Sequence, residues 1–137
     1  MMPPLQTIFK NVHESEHLTT LIRAEAEKLE RFFDHIIRLR VLVEKPHRHQ
    51  QRGAPCHVRI EVDVPGREIV INSSPTRHAM LARLETERVH KSDELDPEHK
   101  HVMLAVYDAF RKALRRLRDH ARRQTGLIHQ HQIGGQP

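Results

Sequence analysis

The sequence predicts an α+β domain with the element order β-α-β-β-β-α, a four-stranded sheet with two helices packed on one face. Three observations carry this. Two segments repeat apolar residues at helical spacing, two others alternate apolar with polar residues, and Pro65-Gly66 has the chemistry of a type II turn between consecutive strands. A chain of 137 residues is one domain's worth. The expected division is a single domain over 1–125, carrying an insertion at 73–95, followed by a disordered tail over 126–137.

Leu5 to Lys10 is a short β-type run. A helix follows over Glu16–Phe33, with Ser15 as N-cap and Leu18, Ile22, Ala26, Leu29 and Phe33 recurring at spacings of four and three. Acidic Glu14 and Glu16 at its start, with Lys28 and Arg31 near its end, suit the helix dipole. Glu25, beside the apolar stripe, is expected to take no part in binding. Ile36 to Lys45 alternates next, with Ile37, Leu39, Val41 and Val43 expected inward and Arg38, Arg40 and Glu44 outward. The first strand–helix–strand unit should be a right-handed crossover with its strands parallel. After a polar loop, His47–Pro55, the run Cys56–Val64 alternates more cleanly, with Val58, Ile60, Val62 and Val64 inward. Arg67–Asn72 should return antiparallel as a hairpin.

The insertion Ser73–Leu95 contains a helical pattern around His78–Val89. The last element is a long helix from about Asp96 to Gln124, with Asp96 as N-cap, Pro97 at the first helical position and Gly126 as a stop. At about 100° per residue, with Phe110 at zero, Met103, Val106, Ala113, Leu114, Leu117 and Ala121 form one apolar stripe. Arg111, Arg115, Arg118 and Arg122 then fall near 80–140°, and Lys112, Arg116 and Arg123 near 200–240°.

Several function classes are excluded by composition. No apolar run exceeds five residues, Val102–Val106, so neither a signal peptide nor a membrane span is expected, and the chain should be cytoplasmic. The single cysteine rules out an internal disulfide and every zinc site that needs two thiolates. Cys56 and His57 are strand neighbours on opposite faces, so they form no catalytic dyad, and Cys56 is expected to be a buried structural residue. The thirteen histidines include three pairs spaced two apart, but no pair has a carboxylate or thiolate at ligand spacing, and no metal site is expected. With five glycines and no glycine-rich phosphate loop, neither an enzyme nor a small-molecule substrate or cofactor is indicated.

Charge distribution points to a partner. Residues 1–97 hold 15 basic and 15 acidic side chains, whereas residues 98–137 hold 8 basic and 3 acidic, so the whole net charge of +5 lies in the C-terminal segment. Seven of those cations, six of them arginine, lie between Arg111 and Arg123, on a basic ridge interrupted by Asp108 and Asp119. Arginine suits bidentate phosphate contact, so nucleic acid is the favoured partner, with RNA and DNA both open. There is no Trp, Phe33 and Phe110 lie on the apolar stripes, and the outward strand positions are charged, which disfavours base stacking on the sheet. Backbone and shape recognition by the helices is what remains.

The helix ending AEKLERFF, the strands LRVLVEKPHRH and CHVRIEVDVPG and the closing helix VMLAVYDAFRKALRRLRDHARRQ together resemble the ribosome hibernation-promoting factor and ribosome-associated inhibitor family, also labelled sigma-54 modulation proteins. The likeness covers roughly 5–72 and 98–125 and fits the short class, without a C-terminal dimerisation domain. It implies a fold similar to double-stranded RNA-binding domains and a factor that binds the decoding region of the small ribosomal subunit, blocks mRNA and tRNA, and silences translation in stationary phase or stress. It also implies ribosomal RNA contacts through both helices. Carried onto this chain together with the charge reading, these are Lys28, Arg31, Arg111, Lys112, Arg115, Arg116, Arg118, Arg122 and Arg123. A secondary RNA contact is expected at His47, Arg48, His49 and Arg52. The long insertion and the His-rich loop depart from the family pattern. A second reading is a protein-interaction module of the sigma-factor modulation type, with the basic helix on an acidic partner.

Overall fold

The alternation and the helical stripes are realised in a computed structural model, which describes residues 4–45, 56–74 and 97–134, with side chains of the last helix from 100 to 123. The elements are β1 (Leu5–Lys10), α1 (Glu16–Phe32), β2 (Arg38–Glu44), β3 (His57–Val64), β4 (Arg67–Ser73) and α2 (Pro97–Gly134). One sheet of order β1-β2-β3-β4 results, with β1 parallel to β2 and the other pairs antiparallel. The period of two then sorts its faces. Leu39, Val41, Val43, Val58, Ile60, Val62, Val64, Ile69 and Ile71 all point to the helical side and are buried.

Ser15 begins α1 as expected: it is extended, and its hydroxyl accepts from the Leu18 N–H at 3.1 Å. Phe33 closes the helix rather than belonging to it, its N–H donating to the Leu29 carbonyl at 2.8 Å. Leu18, Ile22, Ala26, Leu29 and Phe33 are all buried, each large side chain contributing about 1.5–3 kcal/mol by leaving water. Pro65-Gly66 makes the two-residue link between Val64 and Arg67, with Gly66 at φ +78, the left-handed position a type II turn reserves for glycine. At the exit of β1, Asn11 sits at φ 57 and its Nδ2 donates to the Lys45 carbonyl at 3.1 Å, fastening the ends of the parallel pair.

Three expectations change. Ile37 is 57% exposed, and Ile36 occupies the core instead. The turn at Asp34–His35 hands the chain to β2 one residue out of phase, and regular alternation starts only at Arg38. The closing helix continues to Gly134, through Gly126, where a stop is expected. A lone glycine costs a helix only about 1 kcal/mol, and no proline follows until Pro137 to enforce a stop. From Val106 onward the buried sector of α2 is also turned by about 50° from the apolar stripe, with Val106, Ala109, Phe110, Ala113, Leu117 and His120 buried and Leu114 and Ala121 at its edge, whereas in the turn before it Val102, Leu104 and Ala105 are buried on several sides of the helix. Ala109 and Ala113 let α2 approach β3 and β4 closely. The insertion's helical pattern and the loop residues His47, Arg48, His49 and Arg52 lie outside the described residues.

Candidate nucleic-acid interface

Turning the buried sector of α2 toward the sheet dictates what the helix shows to solvent. Arg111, Arg115, Arg118 and Arg122 stand diametrically opposite the core, and Lys112, Arg116 and Arg123 flank them; all seven are exposed. Among the described residues Arg115, Arg116, Arg122 and Arg123 have no carboxylate partner. The far face of the sheet differs. There Arg38 donates from Nε and from a terminal nitrogen to Asp63 Oδ2 at 3.0 and 2.8 Å, and Arg40 donates to Gln6 Oε1 at 3.2 Å and lies 3.6 Å from Glu61. A shallow depression of about 230 Å³ on that face, lined by Ile8, Lys10, Arg40, Leu42, Arg59 and Glu61, is therefore mixed in charge. Among the described residues, cations without a carboxylate partner are concentrated on the helical layer, with Lys10 and Arg59 the exceptions on the sheet face.

Not every cation of the ridge is equally placed. Lys112 Nζ lies 3.4 Å from Asp108 Oδ2 and donates to Ser73 Oγ at 3.4 Å, so it belongs to a polar strap between α2 and β4. Asp108, an interruption of the basic face when read on the wheel, is the centre of that strap.

On α1, Lys28 is exposed and gripped by Glu25 Oε2 at 2.7 Å. The hydrogen bond to Glu25, followed by its charge, raises the Lys28 pKa, and Tyr107 of α2 adds to it, which keeps the ammonium charged. Glu25 is itself buried, so it is part of the inward side of α1 rather than an idle surface residue. Arg31 is exposed, on the side of α1 opposite its buried stripe.

One turn beyond Lys28 the groove between α1 and α2 carries a feature that the sequence reading missed. Phe32 is 43% exposed, and the Arg118 guanidinium lies over its ring, 5.6 Å from the centroid. The signal was the FF pair: neighbours on a helix diverge by about 100°, so only one of Phe32 and Phe33 can enter the core. Phe33 does, meeting His120 edge-on at a centroid distance of 5.7 Å. His120 is buried and its Nε2 has no hydrogen-bond partner among the described residues. Burial, then the charges of Arg67 and Arg123, push its pKa below the usual imidazole value, so it is neutral at pH 7.

The remaining chemistry is sparse. Burial pushes the Cys56 thiol up to about 12, so it is no nucleophile at neutral pH. Among the described residues no three His, Cys, Asp or Glu side chains converge as metal ligands, and no helix is long and apolar enough to cross a membrane.

No protein-family model matches the sequence, and no curated protein matches it either. Solved structures do match the fold. A ribosomal subunit interface protein from Coxiella burnetii superposes with a TM-score of 0.58 at 13% identity, over 85% of this chain and 96% of its own. The N-terminal domain of Protein Y from Thermus thermophilus gives a TM-score of 0.55 at 11% identity, over 85% of this chain and 98% of its own.

Proposed function

We propose that this chain is a ribosome-associated translation inhibitor that binds ribosomal RNA in the decoding region of the small subunit and blocks mRNA and tRNA there during stress or stationary phase. The observation that carries the reading is the arginine face of α2, where Arg115, Arg116, Arg122 and Arg123 have no carboxylate partner among the described residues and are held rigidly by a helix whose other side is core. The fold likeness to a ribosomal subunit interface protein and to a domain of Protein Y supports it independently of charge. Lys28 across the groove widens the positive surface, whereas Lys112 is a helix–sheet strap first and a phosphate ligand second. Arg31 and the 47–52 loop are proposed as peripheral contacts.

The mechanism needs no covalent chemistry. A rigid basic face releases condensed counterions when it meets RNA backbone, and occupation of the mRNA and tRNA track excludes those ligands by volume. Sedimentation through sucrose gradients with purified small and large subunits tests the reading. The protein should travel with small subunits and reduce their filter-retained tRNA. Co-sedimentation with neither subunit, or capture of one polypeptide after nuclease treatment, would favour the protein-interaction reading instead.

A further inference from the structure

We infer that Phe32 and Arg118 form a stacking platform for one unpaired nucleobase at the edge of the basic helical face. The inference rests on the RNA-binding reading above and adds a base-contacting site to it.

Three observations carry it. Phe32 is one of two large apolar side chains that are exposed among the described residues, although Phe33 next to it is buried in the core. Its ring is already covered in part by a planar guanidinium, and an arginine lying over an aromatic ring makes an extended flat surface of the kind on which bases stack. The platform also sits inside the cationic field: Arg115 and Arg122 lie one turn on either side of Arg118, and Arg31 precedes Phe32. A nucleotide whose base stacks here has phosphate partners within one helical turn, about 5–6 Å. An apolar protein segment would use the ring but would gain nothing from the surrounding cations. A base within a duplex has no free face to offer, so the site selects unpaired nucleotides.

The chain has no tryptophan, so Phe32→Trp introduces the sole indole and turns the platform into its own reporter. Three probes are titrated: a 12-nucleotide oligoadenylate, a blunt 12-base-pair RNA duplex, and inorganic polyphosphate. Stacking predicts that oligoadenylate quenches the indole strongly at saturation, while duplex and polyphosphate bind with little quenching. In parallel, Phe32→Leu keeps an apolar side chain but removes the π face. Its affinity for oligoadenylate should fall about tenfold, with duplex affinity unchanged. Equal oligoadenylate affinity for the Leu and wild-type chains overturns the platform and leaves the ridge standing, as does equal quenching by all three probes. If the wild-type chain binds none of the three, the RNA-binding reading itself falls.

Discussion

The Ser73 hydroxyl, at the last residue of β4, donates to Asp108 Oδ2 on α2 at 2.7 Å, joining side chains 35 positions apart. Ser73 is buried on the helical side of the sheet, where period-two alternation would otherwise place an apolar residue. The bond ties α2 to the end of β4, on a helix whose orientation its buried apolar sector already fixes. Breaking it in Ser73→Ala leaves a partly buried carboxylate short of a donor and should cost about 1–2 kcal/mol. Urea denaturation should show a lower midpoint with an unchanged slope.

His120 makes the fold sensitive to mild acid. Its folded pKa lies below the unfolded value of about 6.5, so unfolding takes up a proton. The stability it contributes is present above pH 6.5 and is lost as pH falls through the depressed folded pKa. His120→Phe, which keeps a ring against Phe33, should lose less melting temperature between pH 7.5 and pH 5 than the wild type does. Equal losses would place the acid sensitivity elsewhere.

Cys56 behaves in the opposite sense. Because its folded pKa is raised from 9.0 to about 12, the unfolded chain releases its proton first as pH rises, and stability falls between those values. At neutral pH the thiol should resist a disulfide reagent on the time scale in which a denatured chain reacts fully. RNA binding by Cys56→Ser should match wild type once the small loss in stability is allowed for.

Much of the fold is legible because each strand carries its own phase: Val58, Ile60, Val62 and Val64 fit one face and no other. What escapes is non-local. The phase slip at Ile36 and Ile37 is imposed by the turn before β2, and no property of the two isoleucines distinguishes them. Asp108 reads as a break in a basic face until Ser73 is seen opposite it. The ridge itself is visible in the sequence since charge and helical period suffice, but the groove is not. Glu25, Lys28, Phe32 and Arg118 belong together only once α1 and α2 lie side by side.

Association with RNA should be strongly salt dependent. With Arg111, Arg115, Arg118 and Arg122 and one flanking arginine on phosphates, the log–log slope of affinity against salt should be about −4. Equilibrium binding to small subunits between 50 and 300 mM salt, chosen as a working range, measures it. A slope near zero would remove phosphate contact as the source of affinity.

The most direct test sets the helical face against net charge alone. Arg115→Glu with Arg122→Glu reverses two ridge cations that have no carboxylate partner among the described residues. Lys10→Glu with Arg59→Glu makes the same change in net charge on the far face of the sheet. All four sites are exposed, so each substitution should change stability by only ~0.5 kcal/mol. Affinity for purified small ribosomal subunits is then measured for both double variants at low salt, with melting temperatures alongside. The ridge variant should bind at least about a hundredfold more weakly than wild type while the sheet variant stays within a few fold. Equal affinity of the two variants, each still folded, would contradict it.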